Sequence, residues 1–275
     1  RVREVVDINH DKGMPTLQAT GITIKSPREM DRMRQAGKVV ADAKAAVSRA
    51  IRPGITTKEL DLIAEEEILK QGAIPAFKGL YGFPATVCTS INEEIVHGIP
   101  SGRAVTDGDI LSVDFGAIVD GFYADSAFTI GVGVITSDAR DLINATKEAL
   151  NYGIEQVKEG ARIGDISAAI QTYSEEKGYG VVRQYVGHGI GRALHEEPQV
   201  PNYGVPGRGP LLKIGMAIAI EPMLNVGTWE TRQLDDGWTV VTGDGALSAH
   251  FEDTVAITEK GIEVFTAGNY GIANG

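Results

Sequence analysis

The sequence predicts an α/β (more closely α+β) chain made of two similar halves, on two observations: an internal repeat and the order of elements within it. Pro53-Gly54-Ile55-Thr56-Thr57-Lys58-Glu59-Leu60, followed by Gly72, is echoed 106 residues later by Glu159-Gly160-Ala161-Arg162-Ile163-Gly164-Asp165-Ile166, followed by Gly178. Gly108-Asp109-Ile110-Leu111-Ser112-Val113-Asp114 is echoed 107 residues later by Gly215-Met216-Ala217-Ile218-Ala219-Ile220-Glu221. Self-similarity at a nearly fixed spacing marks a duplicated structural unit. Each half then offers two helices and an apolar β segment that closes on a carboxylic acid, Asp114 in the first and Glu221 in the second. A pseudo-twofold between the halves would bring these two acids together across a shared sheet. Chance similarity between two helix-glycine-strand stretches is the alternative, and it must account for agreement at three separate points.

The elements follow in order. Residues 1–22 show no sustained periodicity and are expected to form a tail or a loosely docked arm; Met14 is an alternative natural start within it. Ser26-Pro27-Arg28-Glu29 carries the signals of a helix start, with Ser26 as cap, Pro27 in the first turn and Glu29 completing a capping box. That helix is expected to end near Ala50, before Pro53-Gly54. A second amphipathic helix spans Thr57 to Leu69 and stops at Gly72. Ala85 to Val96 holds a short strand, Asp109 to Asp114 a second and Phe122 to Val134 a third. Helical spacing returns over Asp138 to Val157 and Ile163 to Lys177. With 275 residues, the chain suffices for one large domain or two halves sharing a core, and residues 23–275 are expected to fold as a single domain.

Composition narrows the function. A formal net charge of -11 disfavours nucleic-acid and anionic-membrane partners, which need a basic surface, and favours a cationic group such as a peptide amino terminus. Cys88 is the only cysteine, which rules out an intrachain disulfide or a thiolate cluster and fits a reducing compartment. No apolar run approaches the roughly 20 residues of a membrane-spanning helix.

The chemistry-bearing residues lie mostly in the second half. His188 sits between glycines in Gly187-His188-Gly189-Ile190-Gly191, followed by Leu194-His195-Glu196-Glu197-Pro198. Glycines on both sides let the imidazole approach a ligand and offer little core volume. His97 has a similar setting in Val96-His97-Gly98-Ile99-Pro100. His10 and His250 lack such neighbours and are expected on the surface or in loops. Asp125 follows Asp114 by eleven residues, across Asp120-Gly121, a spacing that suits a hairpin with both carboxylates on one face. A strand-end acid and a solvated loop acid are the plainer readings of that pair. Glu221 and Glu252 adjoin apolar strand-like runs, where an unpaired carboxylate is costly. Several carboxylates with one imidazole, and no matching set of Lys or Arg nearby in sequence, suit a pair of hard or borderline divalent ions such as Mn, Fe or Co.

Taken in order, Val113-Asp114-Phe115-Gly116, Asp125, Gly187 to Gly191, Leu194 to Pro198, Ile220-Glu221-Pro222-Met223 and Phe251-Glu252-Asp253-Thr254 resemble the motifs of type I methionine aminopeptidases. Ser90 to Pro100 and Asp236-Gly237-Trp238-Thr239-Val240 resemble that family too, so the likeness runs from Ile24 to Phe265. The resemblance implies the duplicated pita-bread fold, with a curved, mainly antiparallel sheet and helices outside. It implies two divalent ions per chain (Co, Mn, Fe or Zn) on five ligands: Asp114, Asp125, His188, Glu221 and Glu252, of which Asp125 and Glu252 would bridge. Two such cations would supply a hydroxide nucleophile at neutral pH. Glu221 would be the proton acceptor, His195 would face the scissile carbonyl and His97 the departing amide nitrogen. Phe83, Cys88 and Trp238 match apolar walls of the methionine pocket.

The implied substrates are nascent polypeptide amino termini and short Met-peptides with a small second residue. The implied setting is a cytoplasmic monomer in transient contact with the ribosome. Leu80, Ala124 and Leu194 depart from the family pattern and put the pocket's shape in question. The spacing of His188 and His195 leaves open that both bind one ion. Two other functions compete: a proline-specific aminopeptidase or prolidase of the same fold, and a non-catalytic binding module, which would lack part of the ligand set. No candidate ligand precedes His97, so the arm is expected to be dispensable for metal binding.

Overall fold

The computed structural model describes residues 21–268; His10, Met14 and the arm as far as residue 20 lie outside the described residues. Two helices open the first half, α1 (Pro27–Ala50) and α2 (Thr57–Lys70). Five strands follow: β1 (Ile74–Pro75), β2 (Val87–Ile91), β3 (Glu94–Val96), β4 (Ile110–Val119) and β5 (Phe122–Gly131), with a 3-10 turn at Leu80–Gly82. The second half repeats the order with α3 (Ser137–Glu155), α4 (Ile163–Glu176) and β6 (Gly180–Val181). Next come β7 (Gly187–Gly189), β8 (Glu196–Val200), β9 (Ala217–Ile220) and β10 (Met223–Asn225). The last strands are β11 (Thr231–Gln233), β12 (Val240–Thr242), β13 (Ser248–His250), β14 (Asp253–Thr258) and β15 (Gly261–Val264). Among the described residues, no helix is long and apolar enough to cross a membrane.

Local chemistry sets the boundaries. Ser26 accepts from the Glu29 amide while the Glu29 carboxylate accepts from the Ser26 amide at 2.8 Å, and Thr56 with Glu59 repeats the device on α2. β4 and β5 turn at Asp120-Gly121, where φ is +49° and +78°. This two-residue connection with both φ values positive matches the right-handed twist of paired strands, and Asp-Gly supplies it at little steric cost. The stretch Ala85 to Val96, expected as one strand, is two, broken where Asn92 adopts φ +58°. Asp114 lies inside β4 rather than at its end, because β5 keeps pairing as far as Val119 opposite Phe122.

The repeat seen in the sequence is a repeat of topology. β1 pairs antiparallel with β4, Ile74 opposite Ile118; β6 pairs antiparallel with β10, Gly180 opposite Asn225. β9 and β10 together occupy the place of the continuous β4. They are separated at Glu221-Pro222, since proline has no amide to donate to a ladder. Register survives the gap: Ile220 faces Asp253 and Met223 faces His250. The halves join where Ala127 of β5 and Glu252 exchange backbone hydrogen bonds of 3.2 and 3.0 Å. On either side a threonine hydroxyl replaces the missing backbone bond, Thr254 to the Asp125 backbone and Thr129 to the His250 backbone. Residues of both halves, from Val40 and Leu60 to Ile166 and Val255, share one buried apolar core. Helices α1 and α3 pack on β4, β5 and β13, and a smaller cluster that includes Phe77, Phe83 and Leu194 lies around the site.

Candidate metal centre

The seam between the halves is where the acidic side chains meet. Gly116 stands opposite Asp125 in the β4–β5 ladder, and Asp114 is two residues from Gly116 on the same strand. Side chains two apart on a strand share a face, so the hairpin presents both carboxylates together. Glu252 enters through its pairing with Ala127, and Glu221 enters at the Pro222 break. His188, on β7 beside β9, brings its Nε2 to 3.7 Å from Asp125 Oδ2 and 3.6 Å from Glu221 Oε1. Donor atoms of Asp125, His188 and Glu252 lie within 4.8 Å of one another.

The electrostatics demand a cation. Burial first, then mutual repulsion, pushes the carboxyls of Asp114, Glu221 and Glu252 well above the usual carboxylate range. Burial raises Asp125 to about 7, against the hydrogen bonds from Asp114 and the Ser126 amide that favour its ionised form. Asp114 and Glu221 retain some accessible surface because they line a cavity, yet both lie deep within the fold. Oδ1 of Asp114, Oδ1 of Asp125 and Oε1 of Glu252 are buried without a hydrogen-bond partner. Buried oxygens of this kind normally have one. His188 is pulled down to about 4 by burial and is neutral near pH 7. Its Nδ1 lies 2.9 Å from the Gly189 carbonyl, which directs the proton to Nδ1 and leaves the Nε2 lone pair facing the acids. This all-oxygen-plus-imidazole donor set fits a divalent ion. Lys44 of α1 is buried behind the acids, where it donates to Ser126 Oγ and stands 3.6 Å from Asp253, so its charge is balanced on that far side.

The other expected residues surround the same space. A cavity of about 280 Å³ is lined by the four acids and the imidazole just described, by His97 and His195, and by Phe83, Cys88 and Trp238. Phe83 and Trp238 meet edge to face with ring centroids 5.1 Å apart. His195 sits with its ring 4.5 Å from that of His188 and 6.3 Å from that of Tyr81, at the cavity rim. His97 leaves β3 with φ +62° and packs edge-on to Tyr185. Burial holds His97 at about 4; His195 is exposed on its outer side, yet partial desolvation and the nearby His188 lower it too, so both are neutral near pH 7. Leu80 and Leu194 line the cavity, whereas Ala124 packs in the main core and does not.

Two expectations need correction. The glycines beside His188 serve strand packing: a Cβ at Gly187 would come 2.3 Å from the Ala219 carbonyl oxygen, and one at Gly189 2.2 Å from that of Glu197. His250, expected on the surface, is buried with Nε2 unpartnered and 4.0 Å from Glu221 Oε2. Its ladder position opposite Met223 corresponds to that of Asp125 opposite Gly116. Its place two residues before Glu252 was the signal in the sequence.

The model of metallopeptidase family M24 matches residues 31–259. The methionine aminopeptidase of Clostridium perfringens is 53% identical over 245 residues, covering 89% of this chain and 98% of the relative. The chain belongs to the methionine aminopeptidases of family M24. The solved methionine aminopeptidase of Thermotoga maritima superposes with a TM-score of 0.88 at 46% identity, covering 90% of this chain and 99% of that one. The prolidase of Pyrococcus furiosus shares the fold at a TM-score of 0.73 and 25% identity, with 89% of this chain and 65% of that one covered. Membership of this metallopeptidase family and the buried Asp125–His188–Glu252 cluster agree on divalent-metal binding. They also point to peptide amino termini as substrates.

Proposed function

We propose that this methionine aminopeptidase removes the initiator methionine from nascent proteins and short peptides, using two divalent ions held by Asp114, Asp125, His188, Glu221 and Glu252. The four carboxylates would hold the ions through oxygen and His188 through Nε2, with the donor atoms of Asp125, His188 and Glu252 within 4.8 Å of one another. The observation that carries this reading is the convergence of four carboxylates, Asp125 and Glu252 buried and Asp114 and Glu221 facing the space, with a neutral imidazole at an apolar-walled cavity of about 280 Å³. That volume is below the roughly 300–1,000 Å³ of pockets for drug-sized ligands and suits one unbranched side chain.

The bound ions would supply Lewis acidity and an activated water; the identity, among Co, Mn, Fe and Zn, follows from metal availability. The chain's own groups do the rest. Phe83, Cys88 and Trp238 receive the thioether side chain and exclude water from it. Cys88 is held as a thiol by burial and by the acids beside it, so it contributes packing. Glu221 accepts the proton of the attacking water. His195, neutral and at the rim, donates to the oxygen of the scissile carbonyl as charge develops there, and His97 meets the departing amide nitrogen. The acids also receive the substrate's ammonium group, which restricts cleavage to the terminal residue. Limited space at the acids favours a small second residue. Residues 23–275 act as one catalytic unit, as a cytoplasmic monomer that meets its substrates at the ribosome.

The test is release of methionine from Met-Ala-Ser, before and after chelation, beside an Xaa-Pro peptide. Metal-dependent release from Met-Ala-Ser alone supports the reading. Preference for the Xaa-Pro bond would assign the prolidase activity instead, and failure to cleave either peptide with metal bound would leave a binding module.

A further inference from the structure

Residues 22–25 run as a strap beneath the loop that carries His195. Ile22 bridges to Glu197, and the Lys25 amide donates to the Gly215 carbonyl at 2.7 Å, just ahead of β9 and Glu221. The Lys25 ammonium lies 2.8 Å from Glu196 Oε2, and the two side chains are 5% and 1% exposed. The Thr23 hydroxyl donates to the same oxygen. The other oxygen, Oε1, accepts the backbone amides of Arg192 at 2.7 Å and Ala193 at 3.2 Å. Both oxygens of Glu196 are therefore committed, one to the strap and one to the loop.

The packing leaves no slack. A Cβ at Gly191 would stand 2.4 Å from Lys25 Cε and 2.8 Å from Glu196 Oε1, and one at Gly215 would stand 2.5 Å from Ile24 Cγ2. Elsewhere the loop is held by the Tyr123 amide on the Gly191 carbonyl and by an exposed Arg192–Glu29 pair at 3.0 Å. An exposed pair of that kind constrains little. The buried pair at Lys25 is different, because a buried ion pair is an inefficient source of stability: an apolar pair of the same volume serves as well. What the charged pair provides is direction. It fixes the carboxylate, the two loop amides and so the main chain entering His195.

We propose that Lys25 is a positioning residue that acts through Glu196 to hold His195 at the reacting carbonyl. The inference rests on the role given to His195 above. A group displaced by about 1 Å can lose about 10²-fold in rate, and the strap is the contact that opposes such displacement from below.

The experiment is a double-mutant cycle of Lys25→Met and His195→Ala, read as kcat and KM on Met-Ala-Ser together with metal content by atomic absorption. Lys25→Met should lower kcat by about 10–100-fold, with KM within about twofold and metal content unchanged. In the His195→Ala background the same substitution should change kcat by less than about twofold, because coupled residues are not additive. An equal fall in both backgrounds, loss of metal, or no fall at all overturns the inference. If His195→Ala by itself leaves kcat unchanged, the role of His195 fails, and that outcome is visible separately from the cycle. Should Lys25→Met not fold, Thr23→Val removes one donor to the same oxygen. It should give a several-fold loss of kcat that vanishes beside His195→Ala, and persistence of that loss there overturns the inference.

Discussion

Chelating the metal should make the fold sensitive to pH in one direction. In the metal-free protein Asp114, Asp125, Glu221 and Glu252 are raised above their ordinary range by burial and by one another. Groups raised in this way bind more protons folded than unfolded, so stability falls as pH rises from the unfolded value towards the folded one. For Asp125 the move from 3.8 to about 7 corresponds to about 4 kcal/mol once it is ionised, at about 1.36 kcal/mol per pH unit. The buried histidines act oppositely. Their folded values of about 4 for His97 and His188 and about 3 for His250 destabilise the fold as pH falls below about 6.5. Between about pH 6.5 and 8 the folded histidines are neutral and the unfolded ones lose their remaining protons in loaded and chelated protein alike, while each carboxyl still protonated in the fold subtracts about 1.4 kcal/mol per unit. Bound cations hold the carboxylates ionised and remove the slope. Calorimetry of loaded and chelated protein at both ends of this range should show the stability gap widening by at least about 2 kcal/mol, or about 4–8 °C in Tm. Taking the gap cancels Lys25, Lys44 and Cys88, which titrate in both forms. A gap that stays constant or narrows with rising pH would refute the clustering of buried acids.

Three further outcomes follow. His188→Ala and Glu221→Gln should both lose metal and turnover, while His195→Ala should keep its metal and lose about 10²–10³ in turnover, the usual cost of one oxyanion donor; metal loss in His195→Ala equal to that in His188→Ala would make both imidazoles ligands. Kinetics should rank Met-Ala and Met-Gly peptides well above Met-Leu, and equal efficiency would contradict limited space at the acids. Gly164→Ala, far from the site, gains about 1 kcal/mol of helix propensity. It also sets a Cβ 2.3 Å from the Val205 carbonyl oxygen and 2.7 Å from that of Arg208. The clash is with backbone, so denaturation should show a net loss of about 1–3 kcal/mol, and a more stable variant would refute the close packing.

The helices were legible because their signals are local. Ser26 with Pro27 and Glu29, the stops at Pro53-Gly54 and Gly72, and the helical spacing of the second half place α1 to α4 within two residues of their observed ends. The hairpin that sets Asp114 and Asp125 on one face was equally readable from Asp120-Gly121 and the spacing. The second-half sheet was not. Its strands β7 and β10 to β13 are three residues each, too short for alternation to register, and they are ordered by pairing with distant segments. His250 was missed although it stands two residues before Glu252, because its own neighbours carry no glycine and its strand β13 is only three residues long. The glycines around His188 pointed to the right residue for an incomplete reason, since their smallness answers to the carbonyls of β8 and β9. The strap at Lys25 was invisible in sequence, because its partner Glu196 lies 171 residues away.

If the acids and His188 at the seam bind the metal that enables methionine release, occupancy and turnover must rise together. Titrating chelated protein with Mn(II), while measuring bound metal and release from Met-Ala-Ser in the same samples, tests both parts together. Turnover should be negligible without metal, rise with occupancy, and saturate as binding reaches two ions per chain. Full turnover in the chelated protein, or saturation of the site with no methionine released, would contradict this expectation.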